Sequence, residues 1–305
     1  EDGKFSHLFV WSPDKPADAR DLTPGQATDS PTHPFGGMDE VAIAPDNKTL
    51  AFVARTGGKG VAWNTNTEVL TVPVAGGAPQ LLTTNKGYDF GPTYSPDGKS
   101  IAVRMMSRPG YEADRERIAV YDVAGRKLRV LTEAWDRSAP EIAWSADGKT
   151  IYTSTDNVGN HSLFAVDVAT GKERLILDKG TNSGVQVAGD RLVFSRDTLS
   201  KPGELFTTKL DGSDLRQITH FNDERVKKIE FGTYEQFSFK GAKGDTVYGY
   251  AMKPAGFRGG KVPVAFVIHG GPQGSFGDHF HYRWNPQAYA GRGYGVVFID
   301  FHGST

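Results

Sequence analysis

The chain is 305 residues long and carries 35 Lys and Arg against 36 Asp and Glu, a formal charge of −1. Such a balance gives no field toward nucleic acid or an anionic membrane, and the densest charged patch, Tyr111 to Ile118, mixes signs. The lack of any cysteine excludes a disulfide framework, a thiolate zinc site and a thiol nucleophile, while 37 glycines and 17 prolines point to many turns between short strands.

The length exceeds the usual single domain, so two domains are expected. The chain opens with the polar Glu1-Asp2-Gly3-Lys4, without an initiator Met or a leader-like segment, and enters strand-like sequence at His7 to Trp11. It reads as a piece of a longer protein, cut at both ends. No apolar run approaches the ~18–20 residues needed to span a bilayer as a helix.

Four segments then match one another: Ile43 to Arg55, Tyr94 to Met106, Trp144 to Asp156 and, more weakly, Gln186 to Asp197. Asp46, Asp97 and Asp147 are 51 and 50 residues apart, and Asp190 follows 43 later. Each marks a tight turn of the Pro-Asp-Gly-Lys kind between an apolar arrival and an alternating strand. Asp suits it by bonding the local backbone, and Gly by accepting a positive φ. A second strand pair follows each turn: Glu68 to Thr83, Arg117 to Thr132, Ser162 to Leu177 and Glu204 to Thr219. Most of these pairs end in Leu-Thr or Ile-Thr. Four strands per unit of ~45 residues is the pattern of a β-propeller blade. Residues 1–226 therefore predict about four and a half blades, the half being His7 to Thr23. Earlier blades are expected outside this chain, since an unclosed ring would expose strand edges.

From Lys227 the period breaks. Tyr234 to Pro254 reads as a hairpin, and the Pro/Gly-rich 254–263 leads to a β-branched run, Val262 to Ile268, that looks like a buried strand. It delivers His269-Gly270-Gly271-Pro272. A helix-compatible segment, Trp284 to Gly291, and a second strand over Gly295 to Phe301 follow. Hairpin, strand, helix and parallel strand make the opening of an α/β sheet, so residues 227–305 predict the start of a second, truncated domain.

A strand ending in a glycine pair before the first helix of such a sheet matches the oxyanion-side loop of an α/β-hydrolase, where a backbone N–H faces the substrate carbonyl. Glycine is needed there because the carbonyl must approach the main chain closely. The matching nucleophile elbow, G-x-S-x-G, is absent. Ser275 lies in Gln273-Gly274-Ser275-Phe276-Gly277, which fails on its N-terminal side, and Ser183 and Ser195 fail as well.

The blade repeats followed by "FVIHGGPQGSFGDHF" and "RWNPQAYAGRGYGVVFIDFHGST" resemble the prolyl oligopeptidase family of serine peptidases, on its bacterial dipeptidyl peptidase 5 and acylaminoacyl-peptidase side. The resemblance covers essentially the whole chain. It implies a propeller-gated peptidase without cofactor, acting on short peptides by Ser-His-Asp acyl transfer, with the triad beyond this chain and the fragment inactive alone. It gives Gly271 as one oxyanion donor and places His269 where other branches carry a tyrosine. It implies that acidic residues from the propeller hold a substrate amine, with Glu112 and Asp114 in the insertion Ser107 to Arg117 as candidates. It further implies a periplasmic or secreted enzyme, with the cytoplasm and homo-oligomerisation left open, and the rest of the peptidase domain as this chain's partner. Two rival readings stand beside it. Asp278, His279 and His281 have a spacing that zinc could use, although a third protein ligand is not evident. The blades alone would also serve a non-catalytic module binding peptides or protein partners.

Overall fold

The computed structural model describes residues 3–34, 36–56, 58–271 and 273–304. Strand accounts for 42% of it, with few helices. Contacts divide the chain into two compact units, residues 1–151 with 166–173, and residues 152–165 with 174–305.

The first unit begins with a hairpin of β1 (Phe9–Ser12) and β2 (Lys15–Asp21). Two antiparallel four-stranded meanders follow. One holds β3 (Val41–Ile43), β4 (Thr49–Ala54), β5 (Glu68–Pro73) and β6 (Gln80–Leu81). The other holds β7 (Asp89–Tyr94), β8 (Ser100–Met105), β9 (Arg117–Asp122) and β10 (Lys127–Val130). Period-two alternation lets the first meander bury both faces. Ala51 and Val53 of β4 pack with Ile101, Val103 and Met105 of β8, while Leu50, Phe52 and Ala54 pack with Leu22 beyond the hairpin.

The repeated turns have the geometry their residues predict. The carboxylates of Asp46, Asp97 and Asp147 accept from the amides of Lys48, Lys99 and Lys149 at 2.9, 3.1 and 3.1 Å. Between them Asn47, Gly98 and Gly148 adopt φ of 59, 70 and 68°. The recurrent terminal threonine also has a structural role. Leu22, Leu82, Leu131 and Ile218 each donate their N–H to the carbonyl of residue 8, 69, 118 or 205. The next residue, Thr23, Thr83, Thr132 or Thr219, accepts the N–H of that same partner residue on its hydroxyl, at 2.9–3.2 Å. The hydroxyl thus satisfies a backbone donor where the outermost strand stops. The hairpin at the chain start shares this feature.

The third repeat, β11 (Ala143–Trp144), β12 (Thr150–Asn157), β13 (Asn160–Asp167) and β14 (Glu173–Leu177), has residues in both units. The second unit contains the β12–β13 turn, where Val158 and Gly159 both have positive φ (52 and 71°). It also holds the antiparallel set β15 (Thr181–Ala188), β16 (Arg191–Thr198), β17 (Lys201–Lys209) and β18 (Arg216–Gln217). After the short helix α1 (Asp223–Val226) the meander pattern ends. β19 (Tyr234–Lys240) and β20 (Thr246–Met252) form the expected hairpin, joined by β21 (Val264–Val267) and β22 (Gly295–Asp300) in the order β19-β20-β22-β21. β21 and β22 are parallel. Between them lies α2 (Pro286–Ala290), where Asn285 caps the helix by accepting from the Gln287 amide at 2.9 Å.

The run ending at Ile268 is not the buried strand its composition suggests. Among the described residues β21 pairs only with β22, at the edge of this sheet, and Val264, Phe266 and Ile268 are more than half exposed. Ala265 and Val267 pack against Val296, Phe298, Tyr250 and Met252. β-branched residues favour the strand in either setting, so they do not report how many neighbours it has.

Candidate active site

Parallel pairing from Val264 with Gly295 to Val267 with Phe298 brings the C-terminal ends of β21 and β22 side by side. In open α/β sheets that end is where ligands bind. β21 delivers His269, Gly270 and Gly271 there, and β22 delivers Asp300, Phe301 and Ser304; Pro272 lies outside the described residues.

Gly271 has φ +126°, and a Cβ built on it would fall 2.6 Å from the Gln273 carbonyl oxygen and 2.8 Å from its nitrogen. Both conformation and space require glycine. The His269 ring stacks on Phe301 with centroids 4.4 Å apart. Its Nδ1 donates to the Gly270 carbonyl at 2.8 Å, which leaves Nε2 to accept from Ser304 Oγ at 2.8 Å. Both ring nitrogens are thus engaged in hydrogen bonds. Asp300 is the last residue of β22. Its carboxylate accepts from Ser275 Oγ at 2.8 Å and stands 3.9 Å from His269 Nε2. Burial holds the Asp300 carboxyl above its ordinary range, against the opposing effect of the Ser275 hydrogen bond.

The segment after Ser275 runs back to the hairpin turns of the second unit. Asp278, 8% exposed, accepts at Oδ1 from the Leu199 amide (2.8 Å) and from Tyr234 Oη (3.0 Å). Its own amide donates to the Gly159 carbonyl at 2.9 Å, and its carbonyl accepts from Thr181 Oγ1 at 3.1 Å. Burial raises the Asp278 pKa despite these bonds, and burial pushes Tyr234 up to about 12. Next to it, Asp197 Oδ1 accepts from His279 Nδ1 and from the Phe280 amide, both at 2.7 Å. His281 Nδ1 accepts from the Trp284 amide at 3.1 Å. Asp278 and one ring nitrogen each of His279 and His281 are therefore engaged in hydrogen bonds within this unit. Among the described residues no three His, Cys, Asp or Glu side chains are grouped to hold a metal.

Glu112 and Asp114 belong to the first unit. Glu112 is exposed. Asp114 closes its own loop, accepting at Oδ2 from the amides of Ser107 (2.7 Å) and Arg108 (2.8 Å) and from Ser107 Oγ (2.9 Å). Burial pushes its pKa up, but the Arg108 and Ser107 hydrogen bonds outweigh that and leave it lowered. The sequence pattern points to Gly271 as a candidate but gives no sign of the Asp300–Ser275 pair or the bonds of Asp278. Their partners lie 25 to 119 residues away, at no recognisable spacing.

No family model matches the chain. Among curated proteins it is 32% identical to dipeptidyl-peptidase 5 of Trichophyton equinum over 301 residues, 92% of this chain and 41% of that protein. It is 31% identical to dipeptidyl-peptidase 5 of Arthroderma otae over 303 residues, 93% of this chain and 42% of that one. The chain thus spans about two-fifths of the length of these relatives. Among solved structures it shares the fold of Pyrococcus horikoshii acylaminoacyl peptidase, with a TM-score of 0.69 at 22% identity over 85% of this chain and 39% of that one. A putative dipeptidyl aminopeptidase IV from Bacteroides ovatus gives 0.66 at 17% identity over 98% and 45%. The curated relatives are fungal, so the expected bacterial setting is not borne out. Among the described residues no helix is long and apolar enough to cross a membrane. Over nearly all of its own length this chain is homologous to the dipeptidyl-peptidase 5 proteins, in agreement with the resemblance to the prolyl oligopeptidase family.

Proposed function

We infer that the protein containing this chain is an exported serine peptidase that releases N-terminal dipeptides, or acylated residues, from short peptides. Residues 1–226 would supply propeller blades that screen substrates, and residues 227–305 would open the α/β-hydrolase domain, with the boundary where the meanders give way to the mixed sheet. The observation that carries this reading is Gly271, held at positive φ just past a strand end in a chain homologous to dipeptidyl-peptidase 5. Its N–H would face the developing oxyanion, a contribution of roughly 2.7–4 kcal/mol for one such donor in a studied case. The serine, acid and histidine of the acyl-transfer machinery would come from sequence beyond this chain. The test is hydrolysis of dipeptidyl amides by the full-length protein, abolished by a serine-directed reagent. No serine-dependent hydrolysis would overturn the reading and favour a non-catalytic blade module.

Of the two acids proposed for the substrate amine, Glu112 has the better claim, because Asp114 is committed to its own loop. Glu112→Gln in the full-length enzyme should raise KM for dipeptidyl substrates about tenfold with kcat little changed. Asp114→Asn should act through loop stability instead. An unchanged KM in Glu112→Gln would remove that residue from the site.

A further inference from the structure

The loop between β21 and α2 has glycine at 270, 271, 274 and 277, four positions with a large conformational entropy to lose. A donor at Gly271 is useful only if this loop is fixed, since misplacement by about 1 Å can cost about a hundredfold in rate. One end is fixed by Asp300 through Ser275. The other end meets the hairpin turns of the same compact unit. Gly277 lies against the Gly159 carbonyl, where an added Cβ would come to 3.0 Å. Tyr250 Oη donates to that carbonyl at 3.0 Å, and Gln236 Nε2 donates to the Val158 carbonyl at 2.6 Å. Asp278 joins all of these, with its main chain bonded to Gly159 and Thr181 and its side chain to Leu199 and Tyr234.

We propose that Asp278 is a positioning residue for the reaction: it ties the glycine loop to the turns at 158–159, 181 and 199, and so sets where the Gly271 N–H points. This rests on the serine-peptidase reading given above. Both side-chain hydrogen bonds of Asp278 end on Oδ1. A single carbonyl oxygen could accept both, so these two bonds require an acceptor in that place and not a negative charge; the nearby Arg196 guanidinium is the cation that would sense loss of the charge. Asparagine should therefore replace it, and leucine, of similar size without an acceptor, should not.

The experiment compares full-length wild type with Asp278→Asn and Asp278→Leu in peptide hydrolysis and in amide hydrogen exchange. Asp278→Asn should keep kcat within about threefold. Asp278→Leu should lose between about tenfold and about a hundredfold in kcat with KM within about threefold, while the Leu199, Asp278 and Phe280 amides exchange faster and those of β4 and β8 do not. Equal losses in both variants would show that the charge matters and overturn the proposal, as would full kcat in Asp278→Leu. If the wild type lacks serine-dependent hydrolysis, the peptidase reading fails by itself. The exchange data then still decide the tie, and unchanged exchange of these three amides in Asp278→Leu would reject it.

Discussion

Asp89 shows most clearly what burial does to one side chain. It is fully buried at the start of β7, with Asn85 Nδ2 donating to Oδ1 at 2.6 Å, while Oδ2 has no hydrogen-bond partner among the described residues. Burial, opposed by the Asn85 bond and assisted by the nearby Glu68 charge, pushes its pKa up to about 7. The native state then holds this proton where the unfolded chain, with a carboxyl near ~3.9, has released it. Stability from this group is complete below about pH 4 and is lost as pH rises to about 7. Asp89→Asn keeps the shape and does not titrate. Urea unfolding of the variant should gain on wild type steadily from about pH 4 to about pH 7 and then run parallel. Curves parallel across the whole range would refute the assignment. Gly271 was legible in the sequence because a glycine pair after a β-branched run is a local pattern. The engagement of both His269 nitrogens was not, because it depends on Ser304, 35 residues away.

At the scale of elements, the repeated turns and terminal threonines carry the four-strand pattern. Replacing Thr132 by Val leaves the Ile118 amide without its acceptor, at a cost of roughly 1–3 kcal/mol. Thr83→Val should cost more, because Thr83 also donates to the buried Glu68 carboxylate at 2.9 Å. Denaturant unfolding of the two variants orders them; a Thr83→Val loss no larger than that of Thr132→Val would contradict this account. The Asp-Gly turns were readable because their bonds close within two residues. The exposure of β21 was not, since an apolar run has the same composition at the centre or edge of a sheet, and only pairing distinguishes them.

For the whole molecule, the sequence supplied the order of parts: meanders of four strands, then a hairpin and two parallel strands ending in a glycine turn and an Asp-Phe-His segment. The resemblance that suggested a peptidase agrees with the homology to dipeptidyl-peptidase 5 and with the fold shared with acylaminoacyl peptidase. What the pattern could not supply was how the glycine loop is held, because that depends on main-chain carbonyls and amides of distant turns such as Gly159 and Leu199. The central claim is that this chain contributes one oxyanion donor to a nucleophile located elsewhere in the protein. Its most direct test exposes the full-length protein and the isolated 305-residue chain to an active-site serine probe. The account predicts stoichiometric labelling of the full-length protein, at a serine outside residues 1–305, and none of the isolated chain. Labelling of a serine within these 305 residues, or none in an intact full-length protein, would contradict it.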